Sequence, residues 1–109
     1  MVVGALKLTL HLPEGGSLKA KRKVVRSLTE RVRARFNVAA AEVGANELWQ
    51  RLELGFVVCG NQHARVEHQL DQITRLVERL ALAEVVDVRQ EIMNLKDMPW
   101  APAAGGMAW

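Results

Sequence analysis

The hydrophobic spacing of this chain switches twice from a strand-like period to a helix-like one and back, and that order constrains the fold more than any other feature. Leu6, Leu8, Leu10 and Leu12 alternate with Lys7, Thr9 and His11 within residues 2–12, the period of a strand with one face buried. Pro13, Gly15 and Gly16 break that pattern, and Ser17 stands where a helix starting at Leu18 needs an N-cap. Leu18, Val25, Leu28, Val32 and Phe36 then fall on one stripe, with Asn37 as a stop. A β-branched and alanine run over 38–43 reads as a second strand. Leu52, Leu54, Phe56 and Val58 alternate with Arg51, Glu53 and Val57 in a third, after a turn at 44–47. A second helix is expected from Gln62, with Asn61 offered as its cap and Val66, Leu70, Ile73, Val77 and Leu80 on one face. The last strand spans 84–92, where Val86, Val88 and Ile92 share a parity.

The order β-α-β-β-α-β predicts an α+β, ferredoxin-like sandwich: a four-stranded antiparallel sheet with both helices on one face. The other face is expected to display Lys7, Thr9, His11, Arg51, Glu53, Asp87, Arg89 and Glu91, as a surface either solvated or used for self-association. Residues 1–96 form the domain in this reading. Residues 97–109, with Pro99, Trp100, Pro102 and Trp109, form a C-terminal tail.

A chain of 109 residues can bury a core without help from metals or disulfides. Cys59 is its one cysteine, and its place in an apolar run makes a core position the expectation. Neither a Cys/His cluster with zinc spacing nor another cofactor motif is present, so no metal or cofactor is expected. The sequence contains no apolar run near the roughly 18 residues of a membrane span, and its start lacks the features of a signal peptide. Cytoplasmic location without a membrane partner is the expectation.

Charge is unevenly placed. Residues 17–36 carry Lys19, Lys21, Arg22, Lys23, Arg26, Arg31, Arg33 and Arg35 against Glu30, a charge of +7, which leaves −4 for the rest of a chain of net +3. Such asymmetry speaks of partners. On the helical wheel Lys19, Arg22, Lys23, Arg26 and Arg33 share one arc beside the apolar stripe, interrupted by Glu30. A charged helix face is commonly just solvated. Here the scarcity of acids leaves the cations to repel one another, and phosphate binding becomes the competing reading.

Lys21 falls on the apolar stripe itself, between Leu18 and Val25. Either it forms a partly buried ion pair with Glu42, which shares parity with Val38 and Ala40, or it snorkels to water from the first turns.

The strings Ser17-Leu18-Lys19-Ala20-Lys21-Arg22-Lys23, Arg33-Ala34-Arg35-Phe36-Asn37-Val38, Ala41-Glu42-Val43, Trp49-Gln50 and Val57-Val58 together resemble the YlxP-like family of small bacterial proteins, over residues 2–92. The resemblance implies a ferredoxin-like fold and a setting among translation and ribosome-maturation genes, under a ribosome-binding-factor-like description. It brings no established catalytic residues.

Enzyme readings find little footing. The loop Pro13-Glu14-Gly15-Gly16-Ser17 before a helix carrying Lys19 could hold an anion, yet it is no Walker A loop and lacks the loop arginine of ferredoxin-like acylphosphatases. A simple turn is the better reading. His11, His63 and His68 are scattered, with no Ser or Cys placed beside them, and a spacing of five does not put His63 and His68 on one helix face. The function expected is therefore non-catalytic binding of structured RNA or a ribosomal subunit through phosphate contacts. Base stacking is disfavoured because the chain has no Tyr, Phe56 lies on the core parity, and only Trp49 remains as a platform. The competing expectation is a homodimeric interaction protein without a nucleic-acid partner, motivated by Trp49, Trp100, Met107, Trp109 and the edge strand at 38–43. A small anion-binding enzyme comes third.

Overall fold

The computed structural model describes residues 1–13 and 16–97, without the side chain of Asp97. Six elements follow in order: β1 (Val2–His11), α1 (Leu18–Arg35), β2 (Ala39–Gly44), β3 (Arg51–Gly60), α2 (His63–Leu80) and β4 (Glu84–Asn94). A short 3-10 turn at Leu95–Asp97 closes the described chain. The rest of the expected tail, including Trp100, Met107 and Trp109, lies outside the described residues, as do Glu14 and Gly15 of the loop before α1.

All strand pairs are antiparallel and the spatial order is β2-β3-β1-β4. This is the ferredoxin-like arrangement. β1 is central, with Leu8 opposite both Leu54 of β3 and Val88 of β4. The inward parity of β1 and β3 meets the apolar stripes of both helices, so Leu8, Leu10, Leu52, Leu54, Phe56, Leu28, Val32, Leu70, Ile73 and Val77 lose all exposed surface. Each such side chain contributes roughly 1.5–3 kcal/mol by leaving water. Gly4 sets how closely α2 approaches β1, since a Cβ there would lie 2.5 Å from Val66 Cγ1 and 2.9 Å from Leu70 Cδ1.

Several local expectations change. α1 begins as expected, with Ser17 Oγ accepting from the Ala20 N–H at 3.1 Å, but it ends at Arg35 because Phe36 is already extended. α2 begins at His63 with Gln62 as N-cap and no side-chain cap bond, so Asn61 does not cap it. β4 continues to Asn94 and is bulged: Thr9 faces Asp87 while Leu10 faces Val85, leaving Val86 without a partner on β1. The bulge shifts parity. Val85 becomes the half-buried residue, whereas Val86 and Val88, on the sheet edge, are exposed.

Cys59 is exposed rather than in the core, because the inward positions of β3 are the even ones. Leu18 is also exposed, in the first turn of α1. Thr9, expected on the open face, is buried in the middle of the sheet. That open face carries a second feature the alternation did not reveal. Beside the charged half, Val3, Ala5, Ala41, Val57, Cys59 and Met93 form an apolar half, where Val43, bulged out of register, rides over Gly55.

Among the described residues, no helix is long and apolar enough to cross a membrane.

Candidate nucleic-acid interface

α1 lies over the β2 side of the sheet, and its polar surface is set by which residues the apolar stripe leaves outside. Lys19, Arg22, Lys23 and Arg26 are all exposed on one flank. Within the described residues the ion pairs are Lys21–Glu42, Arg51–Glu53 and Arg89–Asp87, so none of these four cations has a carboxylate within 4 Å. Glu30 is exposed along the same arc without reaching them. Four uncompensated cations on one rigid helix produce an outward positive field.

Arg33 differs from the other members of the arc. Its side chain is exposed, yet its guanidinium donates to the carbonyl of Ala40 and so links the end of α1 to β2. It retains donors for a further contact, because a guanidinium carries five N–H groups.

Lys21 does not reach water. It is 1% exposed, and its Nζ donates to the carbonyls of Leu48 (2.7 Å) and Ala45, while Glu42 Oε2 stands 3.1 Å away. Oε2 is buried without a bond of hydrogen-bond geometry, so its contact with Nζ is an ion contact. Oε1 accepts from Asn46 Nδ2 at 3.2 Å. The ammonium thus ties α1 to the turn between β2 and β3, where Ala45 holds a left-handed backbone at φ 57°. Trp49, half-buried in the same connection, packs its ring beside Gly16, where a Cβ would come within 3.1 Å of Cε3. The basic helix therefore stands on a fixed base.

The remaining candidates are dispersed. His11, His63 and His68 are exposed, and the described residues contain no group of three or more His, Cys, Asp or Glu side chains that could hold a metal ion. Sequence reasoning passed over Arg35, Arg75 and Arg79, which line a common cleft between α1 and α2. A signal for it was present on the wheel of α2, where Arg65, His68, Gln72 and Arg79 take one flank, Glu67, Asp71 and Glu78 the other, and Arg75 the border between them.

Fold and surface together define a small ferredoxin-like α+β protein presenting a basic first helix. The chain belongs to the family described as "Protein of unknown function (DUF503)", whose family model matches residues 3–90. It is similar to the "Uncharacterized protein YlxP" of Bacillus subtilis (strain 168), 27% identical over 90 residues that cover 83% of this chain and 98% of that protein.

Proposed function

We propose that this protein is a non-catalytic binding protein that associates with ribosomal or other structured RNA in the cytoplasm, its first helix contacting the phosphate backbone. The observation that carries this reading is the exposed arc of Lys19, Arg22, Lys23 and Arg26, without carboxylate partners among the described residues and with Arg33 beside it. The cost of aligning these cations is met when the helix folds, which favours binding. Arginine suits the role, since its planar fork can give two hydrogen bonds to one phosphate. Contacts of this kind recognise backbone and shape rather than base sequence. A ribosome-binding-factor-like role is consistent with that chemistry.

The test is co-sedimentation with ribosomal subunits at low and moderate salt, comparing the wild type with the Arg22→Gln, Lys23→Gln, Arg26→Gln variant. Wild type should pellet with a subunit at low salt and the variant should not. Equal behaviour of the two proteins would leave the arc as a solvated helix face.

A second reading rests on the apolar half of the open sheet face, where Val43 and Val57 are 54% and 45% exposed. Paired face to face with a second copy, that surface would make a homodimer.

A further inference from the structure

We propose that Arg35, Arg75 and Arg79 form a second, separate phosphate-binding site in the cleft between α1 and α2. The cleft has a volume of about 360 Å³ and is lined by these three arginines with Phe36 and Gln72. No acidic side chain lines it. Among the described residues none of the three guanidinium groups has a carboxylate within 4 Å, and the ion pairs lie elsewhere, on β2, β3, β4 and the buried face of α1.

Two features make this a site rather than a chance crowding of cations. First, on α2 Arg79 and Gln72 lie on the flank away from Glu67, Asp71 and Glu78, with Arg75 at the border between them. Glu78 accordingly lines a different cavity, with His11 and the start of β4. Three arginines gathered without a counter-ion repel one another, and a bound oxyanion relieves that repulsion. Second, Arg35 is already positioned, its guanidinium carbon 5.9 Å from the centroid of the Phe36 ring. Gln72 adds an amide donor.

The cleft is distinct from the arc described above. Arg35, with Arg31, falls on the opposite side of the apolar stripe of α1, and Ala20, Ser27 and Ala34 separate the two flanks across the solvent side. Arg33 on the arc reaches β2, whereas Arg35 shares its cleft with α2. The proposal therefore does not rest on RNA binding by the arc. The ligand class is a phosphate group with at least two free oxygens, as in a free phosphate ester or a nucleic-acid backbone.

The experiment follows the arginine Nε–Hε signals of the full chain by NMR during titration with inorganic phosphate and, separately, with a short RNA duplex. Phosphate should move the Arg35, Arg75 and Arg79 signals together. Losing two charged hydrogen bonds should weaken that response by about tenfold or more in the Arg75→Gln, Arg79→Gln variant. In the Arg22→Gln, Lys23→Gln, Arg26→Gln variant the phosphate response should be unchanged. Movement of the three signals by RNA as well would assign the cleft to the backbone; movement by phosphate alone would assign it to a free phosphate ester. Silence of the three signals with both probes overturns the proposal, and so does a phosphate response of the Arg35 signal that is undiminished in the Arg75→Gln, Arg79→Gln variant. Both variants alter exposed side chains, and an unchanged circular dichroism spectrum establishes that each is folded.

Discussion

Lys21 and Glu42 form an ion contact of 3.1 Å between α1 and β2, with the lysine 1% exposed and the carboxylate 21%. The lysine also satisfies the carbonyls of Ala45 and Leu48. One side chain therefore joins the helix, the strand and the turn that follows it.

Lys21→Met leaves a half-buried carboxylate and the Leu48 carbonyl without their partner, while the Ala45 carbonyl keeps only the Leu48 N–H, and is expected to cost about 3 kcal/mol. Glu42→Gln should cost less, because the carboxylate retains some water and the ammonium keeps both carbonyls. The Lys21→Met, Glu42→Gln double variant should fall short of the sum of the singles by about 1 kcal/mol or more. Urea unfolding of the four proteins measures this. Additive losses would mean that the two charges do not interact.

Ala81 terminates α2 in the left-handed region, at φ 52°, where glycine is the usual residue. Ala81→Gly relieves a conformational cost of about 1 kcal/mol and should raise Tm by roughly 4–8 °C. A calorimetric scan showing a lower Tm would contradict this account of the cap.

Gly4 and Gly55 make a controlled pair. Gly4→Ala pushes a methyl group into Val66 and Leu70 in the core, at a cost of about 1–3 kcal/mol. Gly55→Ala meets Val43 Cγ1 at 2.6 Å, but Val43 lies on the open face and can turn away, so its cost should be below about 1 kcal/mol. Equal losses in denaturant unfolding would show that Val43 is not free to move.

Binding to a structured RNA duplex through about four phosphate contacts should give a slope of log affinity against log salt of roughly −3 to −4. Arg22→Gln, Lys23→Gln, Arg26→Gln should flatten that slope and weaken binding across RNA sequences, while leaving unfolding unchanged. Arg33→Gln is expected to act differently, lowering stability by about 1 kcal/mol through loss of its bond to Ala40. Fluorescence anisotropy over a salt series separates the two effects.

Should the open sheet face join two copies, Val57→Glu would place an acid in the middle of its apolar half and abolish the dimer without unfolding the chain. Light scattering at micromolar concentration decides this. A wild type that is monomeric there removes the second reading.

The order of elements, the sheet topology and the inward face of each helix were legible in the residues alone, because those follow from local periodicity and from the limited ways of covering one side of a sheet. The arc of Lys19, Arg22, Lys23 and Arg26 was legible for the same reason, being a property of one helix. Long-range placement emerged only once the elements packed. The wheel put Lys21 on the apolar stripe but could not say whether it found water, which depended on a turn more than twenty residues away bringing two carbonyls and a carboxylate to its ammonium. The bulges in β2 and β4 moved Val43 and Val86 out of the alternation, since register is a property of paired strands and not of either one alone. Arg35, Arg75 and Arg79 likewise meet only when two helices, separate in the chain, are laid side by side on one sheet.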